Sequence, residues 1–98
     1  MSDRVSGAVP ARYGVNKAKA IWCAVDGEAA LIHTDTSIYY GLNPTGTFIW
    51  TLLAEAELSF DEILERVSAH YQMPSSQITT DVREVLNQLT VEDLILER

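Results

Sequence analysis

Apolar residues recur along this chain with two different periods, and the change falls near residue 43. In residues 19–25, Ile21, Cys23 and Val25 share one face while Ala20, Trp22 and Ala24 share the other. That is the period of two of a strand. Asp26-Gly27 follows, a dipeptide suited to a two-residue hairpin turn. Residues 28–34 read as a second strand, Thr34-Asp35-Thr36-Ser37 as a polar turn, and residues 38–42 as a third strand built on Tyr39 and Tyr40. Consecutive strands usually lie side by side, so a three-stranded antiparallel meander is expected. Its third strand is then an edge, with N–H and C=O groups unpaired on the outer side. Alternation leaves two assignments open for that strand: Ile38, Tyr40 and Leu42 face the helices, or Ser37, Tyr39 and Gly41 do. The more apolar set is the preferred inward one.

From residue 43 onward the spacing becomes helical. Asn43 is a good N-cap and Pro44 suits the first helical position, where its missing N–H costs nothing. A first helix is expected over 44–55, with Phe48, Ile49, Leu52, Leu53 and Ala56 on its apolar stripe. Ser59 and Glu62 form a capping box that opens a second helix, with the stripe Phe60, Ile63, Leu64, Val67 and Tyr71. Met73-Pro74 ends it. A third helix starts at a Ser75 or Ser76 cap and carries Ile78, Val82, Val85, Leu86 and Leu89 on one side. The apolar tail Leu94-Ile95-Leu96 is expected to fold back onto the core. Strands followed by helices give an α+β domain over residues 19–98: a three-stranded antiparallel sheet and three helices, close to a winged helix-turn-helix. Residues 1–18, small and polar with Gly7, Pro10 and Gly14, are expected to form a flexible N-terminal arm.

Charge narrows the functions open to such a fold. Residues 1–25 carry four basic residues against Asp3, net +3, whereas residues 26–98 carry three arginines against thirteen acids, net −10. An acidic body repels phosphate backbones, and the third helix presents Arg83 between Asp81 and Glu84, unlike a DNA-reading helix. Nucleic acid is therefore not the expected partner; Lys- or Arg-bearing partners suit the surface better. Cys23 is the lone cysteine, which excludes an internal disulfide, and no His/Cys cluster has metal-ligand spacing. No cofactor or metal is expected. Cys23, His33 and His70 are the available nucleophile and bases, and catalysis would need a Cys–His pair within hydrogen-bond reach. No oxyanion motif accompanies them, so a non-catalytic role is expected. Neither a membrane-spanning stretch nor a signal-peptide core is seen, so a cytoplasmic protein is expected.

The residues Leu31-Ile32-His33, then Tyr39-Tyr40-Gly41-Leu42-Asn43-Pro44-Thr45-Gly46, then Ile49-Trp50 resemble the PqqD-like family of recognition elements, which serve the biosynthesis of ribosomally made, modified peptides. The likeness extends over residues 19–96 and includes Tyr71, Asp81-Val82 and Leu86…Leu89. The short form with Asn43-Pro44-Thr45-Gly46 is most similar to the leader-binding proteins of lasso-peptide pathways. The resemblance implies that a precursor's leader adds a fourth strand beside Ile38, Tyr39, Tyr40, Gly41 and Leu42, with its side chains against Asp81, Val82, Val85, Leu86 and Leu89 of the third helix. It implies as partners a leader peptidase and an ATP-dependent macrolactam-forming enzyme. A redox-cofactor precursor or a radical enzyme is the alternative partner, and the open edge would also allow a homodimer. The chain departs from its relatives at three positions. His33 stands where many carry Asp, Ser37 where they carry Gly in the turn, and Asp93 where they carry Gly before the final apolar residues. The turn before the third strand is expected to differ in consequence, whereas Asp93 is expected to tolerate the left-handed conformation.

Overall fold

The computed structural model describes residues 11–98. In chain order they form β1 (Arg12–Val15), β2 (Ala20–Val25), β3 (Glu28–His33), β4 (Tyr39–Gly41), α1 (Pro44–Glu55), β5 (Leu58–Ser59), α2 (Phe60–Tyr71), α3 (Ser75–Val91) and β6 (Ile95–Glu97). The expected meander is present as an antiparallel sheet ordered β2-β3-β4. Asp26 and Gly27 both have positive φ, 53° and 82°, so the β2–β3 turn has the twist that right-handed strands require. The loop before β4 closes with His33 N–H donating to the Ile38 carbonyl at 3.0 Å and Ser37 N–H to the His33 carbonyl at 2.8 Å. Ser37 itself takes φ 61°, the conformation Gly would supply more cheaply. The departure at His33 has a physical counterpart too. Its Nδ1 accepts the Asp35 N–H at 3.1 Å, the bond a short carboxylate would make in an Asx turn.

A second sheet, ordered β5-β1-β6, was not expected. Its central strand lies within the stretch read as a flexible arm, so that reading fails for Arg12–Val15; residues 1–10 of the stretch lie outside the described residues. β1 pairs antiparallel on both sides, Tyr13 with Leu58 and Glu97, and Val15 with Ile95. The backbones of Arg12 and Arg98 exchange both hydrogen bonds, at 2.9 and 2.8 Å. The apolar tail thus returns to the core as a strand, and Leu94 and Ile95 are buried.

The core lies between the inner face of β3 and the three helices. Ala29 and Leu31 of β3, Ile49, Trp50 and Leu53 of α1, Ile63 and Val67 of α2, and Ile78, Val82, Leu86 and Leu89 of α3 are all buried. The expected helical stripes supply most of this set. Trp50 is fully buried, and half-exposed Trp22 meets it edge to face, ring centroids 6.1 Å apart. The helix ends follow the sequence, with one exception. Asn43 Oδ1 accepts the Gly46 N–H at 2.7 Å, and Ser59 and Glu62 complete their capping box at 3.2 and 2.9 Å. The start of α3 differs: neither Ser75 nor Ser76 caps it, the N-cap position being Pro74, which has no side-chain acceptor. α3 ends in a Schellman arrangement, with Leu94 N–H on the Leu89 carbonyl and Asp93 N–H on that of Thr90, while Asp93 sits at φ 62°.

Two predictions concern these ends. Asp93→Gly removes a left-handed penalty and is expected to stabilise the fold by about 0.5–1 kcal/mol, whereas Asp93→Val destabilises it; thermal unfolding checks both. Ser59→Ala is expected to cost about 1 kcal/mol. The Glu62 carboxyl is held below its ordinary range, first by the Ser59 N–H and then, among other causes, by nearby Arg12. A lowered folded-state pKa contributes stability above the unfolded value of about 4.3, and that stability is lost as pH falls through the folded value. The melting difference between wild type and Glu62→Ala should therefore be present at neutral pH and vanish in acid.

Candidate functional site

β4 ends three residues before α1 begins, and that junction is tied together tightly. The Leu42 N–H donates to the Ala29 carbonyl at 2.9 Å. The Thr47 hydroxyl accepts the Ala29 N–H at 2.8 Å and donates to the Leu42 carbonyl at 3.3 Å. Gly46 lets the first turn of α1 sit close beneath the strand: a Cβ there would stand 3.2 Å from Asn43 Oδ1 and 3.4 Å from the Leu42 Cβ. The residue just after the strand and the helix's first turn are thus tied in one geometry.

The pairing register decides which groups of β4 are free. Leu31 faces Tyr40, Ile32 faces Tyr39 and Ala30 faces Gly41. The bonds from His33 to Ile38 and from Leu42 to Ala29 identify the hydrogen-bonded pairs. By antiparallel alternation, the N–H and C=O of Ile38, Tyr40 and Leu42 point toward β3, and those of Tyr39 and Gly41 point outward. Among the described residues only β3 pairs with β4, so this outer row is open. The described part of the N-terminal segment belongs to the other sheet.

Side chains follow the same alternation. Tyr40, opposite buried Leu31, turns inward and packs with Leu42 against the core, so the more apolar set does face the helices. Ile38, at the start of that set, stays half exposed. Tyr39 stands on the opposite face of the sheet, and its ring passes beside Gly41, whose missing Cβ would lie 3.7 Å from it. Beside the open edge runs a groove of about 410 Å³. Tyr39, Tyr40, Gly41 and Leu42 form one wall, and Val85, Gln88 and Leu89 of the C-terminal half of α3, with its C-cap Glu92, form the other. At its inner end the Tyr40 hydroxyl donates to the Glu92 carboxylate, which raises the Tyr40 pKa above its ordinary value, aided by burial.

Six of the ten residues expected at a binding site therefore meet here: Tyr39, Tyr40, Gly41, Leu42, Val85 and Leu89. Four do not line the groove. Val82 and Leu86 are fully buried in the core and offer no surface to a guest, because they continue the inward line begun by Ile78. Asp81 is exposed near the start of α3, away from the groove, and Ile38 precedes it. Gln88 and Glu92 were missed because they are polar. They follow Val85 at helical spacing, three and seven residues on, which is the signal that could have found them.

The rival chemistries fare differently in this geometry. Cys23 is exposed on the outer face of its sheet, His33 is buried on the inner face, and His70 stacks on Phe48 with centroids 4.0 Å apart. No Cys–His pair forms among these. Arg83, the cation of the third helix, lies over the Phe60 ring, 4.5 Å from its centroid. A second hollow, about 490 Å³, lies between residues 14–18 and the end of α1, but the nearby strand β1 is paired on both sides and has no edge to lend. Among the described residues no group of side chains could hold a metal, and no helix is long and apolar enough to cross a membrane.

No curated protein sequence matches the chain at a significant level. Among solved structures the chain is similar to "TbiB1 in Complex with the TbiA(beta) Leader Peptide", with 28% identity and a TM-score of 0.75, covering 84% of this chain and 93% of that one. Residues 28–95 match the family described as Coenzyme PQQ synthesis protein D (PqqD). That stretch contains β3, β4, all three helices and both walls of the groove, and the chain belongs to the PqqD family.

Proposed function

We propose that this protein binds the leader segment of a ribosomally made precursor peptide, without catalysing a reaction itself, by taking the leader as a fourth strand beside β4. The observation that carries this reading is the row of Tyr39 and Gly41 main-chain groups, which no other described strand pairs, next to the groove against α3. Main-chain bonds to the edge give affinity with little sequence preference, and the groove selects alternate side chains. Each apolar or aromatic anchor buried there contributes about 1.5–3 kcal/mol. Micromolar binding needs about 8 kcal/mol net, so two or three such anchors must be joined by the backbone pairing to reach it.

Within that reading, the bound leader is presented to a leader peptidase and then to a macrolactam-forming enzyme of lasso-peptide assembly. The similarity to a solved leader complex supports a peptide guest. The family description supports a second version, in which the guest is the precursor of a redox cofactor. Identifying the precursor, for which a short reading frame near this chain's gene is the place to look, discriminates the two.

Fluorescence anisotropy with the labelled leader of that precursor tests the site. Val85→Glu puts a charge into the apolar stretch of the groove, and Tyr40→Ala removes its inner wall. Each is expected to weaken binding at least tenfold while the far-ultraviolet circular dichroism stays native. Asp81→Ala, outside the groove, should bind within about twofold of wild type. Equal binding by Val85→Glu and wild type would contradict the site.

A further inference from the structure

The groove beside β4 is not uniformly apolar. Val85 and Leu89 make one part of its α3 wall, and the wall ends in Glu92, the lone charged side chain among its lining residues. That carboxylate is half-buried and held in place: Oε2 accepts the Tyr40 hydroxyl, and Oε1 has no hydrogen-bond partner among the described residues. No described cation neutralises it. Arg12 pairs with Glu62, Lys19 with Asp35 and Arg98 with Glu57, while Arg83 lies on Phe60. A carboxylate fixed at the end of an apolar trough, with no cation paired to it among the described residues, is a preorganised acceptor for a cation.

Resting on the strand-addition reading, we infer that Glu92 is a specificity determinant that selects leaders carrying a Lys or Arg two residues from an apolar anchor. For a guest lying along α3 in the groove, the spacing follows from the two backbones. Leu89 and Glu92 stand about 4.5 Å apart along the α3 axis, and Val85 and Glu92 about 10 Å. Same-face side chains of an extended guest recur every 6.8 Å or so. A guest whose apolar side chain covers Val85 and Leu89 therefore brings its next inward side chain to Glu92. The asymmetry of the trough, apolar at one end and acidic at the other, also sets the direction in which the guest lies.

A displayed library of random fifteen-residue peptides, panned against the full chain, tests this and does not require the natural leader. Wild type should enrich peptides with an apolar residue and a Lys or Arg at a fixed offset of two. Glu92→Gln keeps the side-chain shape and a hydrogen bond for Tyr40. It should retain the apolar preference, lose the cation, and bind a wild-type-selected peptide about tenfold more weakly. Replacing that peptide's Lys by Met should cost wild type the same factor and cost Glu92→Gln little, as a double-mutant cycle requires. Retention of the cation preference by Glu92→Gln, or wild-type enrichment of peptides without a cation, overturns the inference and leaves strand addition standing. If wild type enriches no peptide at all, strand addition itself fails, and the inference with it.

Discussion

The antiparallel ladder between β3 and β4 fixes what this molecule can do. Tyr40 sits opposite Leu31, with its backbone groups turned into the sheet and its ring turned toward the helices. Its neighbours Tyr39 and Gly41 are thereby forced outward along the edge. A slip of one residue would reverse both assignments at once, since the side-chain period is two. The register is held at both ends of β4. On one side, Ser37 in the left-handed region and the His33 ring close the turn. On the other, Thr47 bonds both Ala29 and Leu42. These bonds hold the edge in one geometry, and a preorganised edge lowers the ordering cost of adding a strand.

Rigidity of one wall would be of little use if the other could drift. The second sheet prevents this. β6 follows directly on the Schellman turn that ends α3, and β1 clamps β6 from residues that precede the whole meander. Asn16 adds two bonds to that turn, from its N–H to the Leu94 carbonyl at 2.9 Å and from its side chain to the Asp93 carbonyl at 3.0 Å. The C-terminal half of α3, which carries Val85, Gln88 and Leu89, is thus anchored, with its C-cap Glu92, to the front of the chain. The Tyr40–Glu92 hydrogen bond then links the two walls directly.

Features written in short-range chemistry were legible in the sequence. Asp26-Gly27, Asn43-Pro44 and the Ser59–Glu62 box each specify a turn or a cap within four residues, and all three appear as read. The β5-β1-β6 sheet was not legible. Its strands are two to four residues long, separated by more than thirty residues, and the central one contains a glycine. Such pairing has no local signature; it exists because the tertiary core brings the pieces together. The site shows the same division. The edge strand could be read over residues 38–42, but periodicity alone could not divide the third-helix stripe between core and groove. Val82 and Leu86 went to the core, while polar Gln88 and Glu92 went to the groove.

Backbone amide exchange followed by NMR, with and without saturating leader peptide, tests the central claim most directly, because it reads the edge groups themselves. In the free protein the Tyr40 amide, bonded into the sheet, should be protected, and the Tyr39 and Gly41 amides should exchange readily. Adding the leader should slow Tyr39 and Gly41 at least tenfold. Unchanged exchange at those two amides in a saturated complex, or protection equal to that of Tyr40 before any peptide is added, would contradict the account.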